Sequence, residues 1–270
     1  MRRLPAKRRL GQHFLHDPSI LGRIADATLA GPDDTVLEIG PGPGGLTAQL
    51  LHRTPHVVAI ERDRDLFKEL ARRAPGARVV PGDALELDWY RESGEPVPSR
   101  WIVAGNIPYN ITSPLLDKAL AEPLPARVVF LVQLEVAERL SAEPGSREYG
   151  ALTVGVRALA RVERLFRVPA GAFQPAPKVD SAVIRLVPRE IPLVPPSHRV
   201  PFRRFVTGVF GLRRKQLAGA LRQVTGGPAP AIRTELMRLG VAPEARAETL
   251  PPEIFWELYR QLVDGDSGAC

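Results

Sequence analysis

Asn106-Ile107-Pro108-Tyr109 follows the apolar run Trp101-Ile102-Val103-Ala104 and a single Gly105. A β-branched and aromatic run that ends in a Pro-containing polar tetrapeptide predicts a buried strand leaving a sheet. The tetrapeptide then lies at a strand's carboxyl end, where open α/β sheets hold ligands. An Asn amide oxygen accepts hydrogen bonds, Pro108 fixes its φ and brings no N–H, and Tyr109 offers an aromatic face. Such a set suits a flat base with an exocyclic amino group. The amide oxygen and a loop carbonyl take its two N–H bonds while the ring stacks. The same four residues also make an ordinary strand-to-turn connection, so the rest of the chain must decide.

Carboxylates and glycines at three earlier strand ends narrow the choice. Glu38-x-Gly40-x-Gly42-x-Gly44 closes an apolar run, and Gly40, Gly42 and Gly45 also satisfy G-x-G-x-x-G. Glycines let the chain turn tightly and let a ligand approach the backbone at a helix start. Glu61, about 20 residues on, can accept both ribose hydroxyls of either NAD or S-adenosylmethionine. Asp83, in Gly82-Asp83-Ala84, adds an acceptor for an adenine amino group. Glu38 suits a cofactor with an ammonium and a sulfonium better than one with a pyrophosphate. A dehydrogenase also needs a hydride-handling site, and His13, His16, His52, His56 and His198 form none by spacing. The order of these groups is that of a methyltransferase.

The elements that must position these groups alternate regularly. Strands are predicted at 35–39, 57–61, 77–80, 101–104 and 127–132. Helices fall between them: one past Leu46, Leu50 and Leu51, one opened by Asp63, and one over 113–120. An earlier helix starts at Asp17-Pro18 with Ile20, Leu21, Ile24 and Ala27 on one face. This alternation gives an α/β fold with a mostly parallel, doubly wound sheet. After Glu135 the pattern changes: a helix over 151–159, then strands at 162–168 and 182–187 flanking Phe173-Gln174-Pro175-Ala176-Pro177-Lys178. Pro188, Pro192, Pro195 and Pro196 mark a boundary. We expect residues 1–188 to form the catalytic domain and 189–270 a small all-helical domain, with helices over 202–210, 214–223, 231–239 and 252–262.

Charge points to a polyanionic partner. The net charge is +7, and all but five of the 37 basic residues are Arg, which suits phosphate recognition. Arg199, Arg203, Arg204, Arg213, Arg214, Lys215 and Arg222 fall in a stretch with no acidic residue, the pattern of a phosphate-binding surface. Arg2, Arg3, Lys7, Arg8 and Arg9 form a basic arm that is a second candidate contact. The only cysteine is Cys270, so disulfides within one chain and Cys-ligated zinc are excluded and a reducing cytoplasm fits. No run is long and apolar enough for a membrane helix, and 1–10 lacks the apolar segment of a secretory signal.

At this point the chain resembles the ribosomal RNA adenine N6-dimethyltransferases, the type that modifies two adjacent adenines near the 3′ end of small-subunit rRNA. The likeness covers nearly the whole chain. Its motifs are Gly11-Gln12-His13-Phe14-Leu15, Glu38 to Gly45, Glu61, Gly82-Asp83-Ala84, Asn106 to Tyr109, Phe173 to Ser181, and Phe210 to Leu217. The resemblance implies a Rossmann-like class I methyltransferase domain followed by a helical RNA-contacting domain. It implies S-adenosyl-L-methionine as cofactor, no metal, and rRNA of the immature small subunit as partner of a monomeric, cytoplasmic enzyme of ribosome biogenesis.

The resemblance also implies roles. Glu38, Gly40, Gly42, Glu61, Asp83, Ala84 and Asn106 hold the cofactor, with His13 and Leu15 closing over it. Asn106 and the Ile107 carbonyl, on the rigid turn set by Pro108, hold the target N6. Tyr109 stacks on the base and Phe173 closes its other face. Many relatives carry Asn where this chain has His13. The related large-subunit rRNA methyltransferases of macrolide resistance share the catalytic motifs, and a ribosome-assembly factor on the same scaffold is a further alternative. Phe173 to Ser181 and the basic helical end favour the small-subunit type. A DNA adenine methyltransferase would need a separate sequence-reading domain, which is not apparent.

Overall fold

The computed structural model describes residues 6–7, 10–94, 98 and 100–265. Arg2, Arg3, Arg8, Arg9 and Cys270 lie outside the described residues. Nine strands are formed among the described residues: β1 (Phe14–Leu15), β2 (Thr35–Ile39), β3 (Val57–Glu61), β4 (Arg78–Pro81), β5 (Trp101–Asn106), β6 (Arg127–Gln133), β7 (Ala160–Val168), β8 (Phe173–Gln174) and β9 (Ser181–Pro188). The main sheet has seven strands in the order β4-β3-β2-β5-β6-β9-β7. β2 runs parallel to β3 and β5, β4 parallel to β3, and β6 parallel to β5, while β9 is antiparallel to β6. This is the mostly parallel, doubly wound α/β fold that the alternation predicts.

The central strands are continuous apolar runs because both faces of a parallel sheet are covered. Every residue of β2 and β3 is buried. β2 and β5 pair with Val36 opposite Ile102 and Glu38 opposite Ala104. They approach so closely at their ends that a Cβ on Gly105 would stand 2.5 Å from the Ile39 carbonyl oxygen. Only glycine fits there. The strand order reverses between β2 and β5, which opens a crevice beyond their carboxyl ends.

Two short elements were not predicted from the sequence. β1 and β8 pair antiparallel, Phe14 with Gln174 and Leu15 with Phe173. They are only two residues long, so no alternation announces them. The helix Pro18–Ala27 begins as predicted, its N-cap Asp17 accepting from the Ser19 and Ile20 N–H groups.

The chain divides into two compact units. One comprises Met1–Ala137 and Val162–Pro188, the other Glu138–Arg161 and Arg189–Cys270. This corrects the division at 188: Glu138–Arg161 goes with the C-terminal residues. The reason is burial. Tyr149, Val154 and Ala158 are fully buried in one cluster with Phe205, Leu221 and Phe255, and the Tyr149 hydroxyl donates to the Leu250 carbonyl at 2.7 Å. The second unit's helices are Ala151–Arg157, Arg199–Gly211, Leu217–Thr225, Ala229–Arg238 and Pro252–Tyr259. The helix expected from Arg214 starts instead at Leu217, because Gln216 is extended. Arg213, Arg214 and Lys215 therefore lie in the preceding turn.

Candidate active site

One cavity lies beyond the carboxyl ends of β2, β3, β4 and β5. Glu38 and Gly40 contribute from the end of β2, Glu61 and Arg62 from β3, Asp83 and Ala84 after β4, and Asn106 to Ile111 from β5 and the turn that follows. Gly42 in the glycine loop and His13 and Leu15 from the N-terminal segment complete it. All the residues singled out from the sequence are thus brought together except Phe173.

The glycine loop is shaped by Glu61. Its Oε2 accepts from the Gly42 N–H at 3.0 Å and its Oε1 from the Asp63 N–H at 2.7 Å. Gly42 has φ +57°, and a Cβ there would stand 3.1 Å from the Phe14 ring, so a side chain meets strain and a clash together. Burial raises the Glu61 carboxyl above its ordinary pKa, against the pull of the two N–H donors.

Glu38 is 1% exposed, and its Oε2 is buried with no hydrogen-bond partner. Burial pushes its pKa to about 8; the Glu61 charge adds to the rise, while nearby Thr47 opposes it. A dry, unpaired carboxylate oxygen is costly unless a donor arrives. With the Glu61 and Asp83 acceptors along the same strand ends, this arrangement fits a cationic cofactor with a ribose and an amino-bearing base.

Asp83 is already engaged. Its Oδ1 accepts from the Leu85 N–H at 2.9 Å, and its Oδ2 pairs with Arg62 Nη1 at 2.9 Å. Arg62 lines the cavity and was not singled out from the sequence, because an Arg after a strand-end Glu reads as an exposed surface cation.

At the other end of the cavity Asn106 Nδ2 donates to the His13 carbonyl at 2.8 Å. A carbonyl only accepts, so this contact fixes the amide's orientation and leaves Oδ1 as an acceptor. The His13 ring stacks on Tyr109 with centroids 5.7 Å apart and planes 18° off parallel. His13 Nδ1 lies 2.8 Å from the Pro175 carbonyl oxygen. The Tyr109 hydroxyl is 2.6 Å from Ser181 Oγ, and burial raises its pKa against that hydrogen bond. Ser181 is 72 residues away in sequence, a pairing that no local pattern reveals.

Phe173 does not line the cavity. It is 2% exposed and packs with Leu15, Val168 and Ala172. The β1–β8 register sets it opposite Leu15 in the core, so a wall against a base is not its place in this structure. Lys7 is likewise not an open phosphate contact, because its Nζ pairs with Asp63 and Asp65. In the second unit Arg213 is tied to the Arg147 carbonyl and lies near Glu248. Arg204, Arg214 and Arg222 are exposed. No group of His, Cys, Asp and Glu fit for a metal occurs among the described residues, and no helix among them is long and apolar enough to cross a membrane.

Comparison with known proteins identifies the family. The family model described as ribosomal RNA adenine dimethylase matches residues 3–264. A ribosomal RNA small subunit methyltransferase A from Myxococcus xanthus is 43% identical over 96% of this chain and 92% of its own. One from Acidithiobacillus ferrooxidans is 41% identical over 96% and 95%. Among solved structures, a dimethyladenosine transferase from Plasmodium falciparum superposes with TM-score 0.80 at 28% identity, covering 92% of this chain and 97% of that one. The 23S rRNA methyltransferase ErmE does so with TM-score 0.72 at 31% identity, covering 92% and 99%.

Proposed function

This chain belongs to the ribosomal RNA adenine dimethylase family, and we propose that it dimethylates N6 of two adjacent adenines near the 3′ end of small-subunit rRNA. The methyl donor in this reading is S-adenosyl-L-methionine, and the setting is small-subunit biogenesis in the cytoplasm, with the enzyme acting as a monomer. The observation that carries it is the Asn106 amide, held by the His13 carbonyl so that Oδ1 remains an acceptor in the cavity that also holds Glu38 and Glu61.

S-adenosylmethionine supplies an electrophilic methyl on a sulfonium. Glu38 would answer the cofactor's positive charge, giving up its proton as that charge arrives, Glu61 would hold the ribose and Asp83 the adenine amino group, with Arg62 sharing or yielding that carboxylate. Gly40, Gly42 and Ala84 let the cofactor lie against backbone, and Leu15 and His13 cover it. Asn106 Oδ1 and the Ile107 carbonyl accept the two N–H bonds of the target amino group. The nitrogen is a weak nucleophile because its lone pair is delocalised into the ring. Holding its N–H bonds out of plane turns that pair toward the methyl, so positioning and electrostatics supply most of the rate. The N6 proton becomes acidic only once the nitrogen is alkylated, so no base is needed before attack. Tyr109 meets the base with the ring face away from His13. The base must leave its stack to arrive there.

RNA contact is assigned to the second unit, through Arg204, Arg214 and Arg222 with Lys215. The full-length identity to small-subunit enzymes supports that substrate. The likeness to ErmE, 31% identical over 92% of the chain, keeps large-subunit RNA as the second reading. Incubation with labelled cofactor and purified subunits of each kind separates the two by where the label goes. Binding to small subunits without transfer would favour an assembly factor.

A further inference from the structure

Asp63 belongs to none of the motifs above, yet both oxygens of its carboxylate are engaged beside the cavity. It is 4% exposed. Oδ1 accepts from Lys7 Nζ at 2.5 Å and from the Asp65 N–H at 3.1 Å, and Oδ2 accepts from Gln12 Nε2 at 2.9 Å. Lys7 Nζ also reaches Asp65 at 2.6 Å, and the Lys7 N–H donates to Gln12 Oε1 at 2.7 Å. From the other side, the Asp63 N–H donates to Glu61 Oε1.

Capping the turn Arg64–Leu66 needs only the bond from the Asp65 N–H. The second oxygen, the ammonium of Lys7 and the amide of Gln12 are surplus to that role. Of these Gln12 lines the same cavity as Glu61, next to His13, and Lys7 and Asp63 lie just outside it. Burial alone would raise the Asp63 carboxyl, but its bonds from Lys7, Gln12 and Asp65 hold it below the ordinary range, so it remains the anion the arrangement needs.

We propose that Asp63 is a positioning residue for the cofactor site, tying the segment that carries Lys7 and Gln12 to the backbone that orients Glu61. Cover of the cavity and placement of the ribose acceptor are then set by one carboxylate. This rests on the cofactor reading above.

Titration calorimetry with S-adenosylmethionine on the full chain tests it. Lys7→Met keeps the apolar stem and removes the charge of a side chain that is not needed for the core. The expected result is about fivefold weaker cofactor binding, with kcat at saturating cofactor unchanged. Lys7→Arg should restore binding. Asp63→Asn keeps the turn cap and should weaken binding similarly, with little further loss in the double variant. Wild-type affinity in Lys7→Met would overturn the inference. No binding by the wild-type chain would sink the cofactor reading, and this inference with it.

Discussion

Asn106 Nδ2 donates to the main-chain carbonyl of His13 at 2.8 Å, across 93 residues of sequence. The contact uses no atom of the His13 side chain, so it would survive a substitution there. It joins the N-terminal segment that lines the cavity to the residue proposed to hold the target nitrogen.

Asn106→Ala removes the Oδ1 acceptor and the tie to His13 together. Methyl transfer should fall about 10²–10³-fold, the usual cost of losing one electrostatic stabiliser. Single-turnover rates at saturating cofactor and RNA measure it. Near-normal turnover would remove Asn106 from its assigned role.

Glu38 gives a pH signature. Its folded pKa of about 8 lies above the ordinary 4.5, so the folded chain holds a proton that the unfolded chain has lost. Its contribution is therefore destabilising, growing from about pH 4.5 to 8 and complete above that. Glu38→Gln, without cofactor, should raise Tm on the order of 5 °C at pH 8.5 and much less at pH 5. A difference in Tm that is the same at both pH values would contradict the assignment.

Phe173 separates packing from chemistry. As a core residue, Phe173→Ala should cost about 3–5 kcal/mol, a fall in Tm of about 10 °C. An unchanged Tm with collapsed methyl transfer would mean that the ring leaves the core to meet the base.

Much of this site was legible in the sequence because its residues sit at predictable places. β2 and β3 fall where the apolar runs predict, and Glu38, Glu61, Asp83 and Asn106 follow from standing at strand ends. What could not be read is non-local. The Tyr109–Ser181 contact, the β1–β8 pair and the Arg62–Asp83 ion pair each depend on chain segments that the fold alone brings together. Phe173's burial could not be read for the same reason: an aromatic before a Pro-rich turn looks the same whether it faces a cavity or a core. Glu138–Arg161 was misassigned because its membership rests on burial of Tyr149 and Val154, not on composition.

The Arg204, Arg214 and Arg222 side chains are exposed and make no ion pair or hydrogen bond among the described residues. Replacing all three by Ala should weaken rRNA binding and flatten the plot of log affinity against log salt by about two to three units of slope. Binding measured from low to moderate salt checks this, and an unchanged slope would mean that RNA lies elsewhere.

The central claim is tested most directly by mapping the product. Small and large subunits lacking their own adenine dimethylation are incubated with the chain and labelled S-adenosylmethionine, and the RNA is digested and sequenced by mass. The account predicts dimethyladenosine at two adjacent adenines near the 3′ end of small-subunit rRNA. Label confined to large-subunit RNA, or tight small-subunit binding with no label at all, would contradict it.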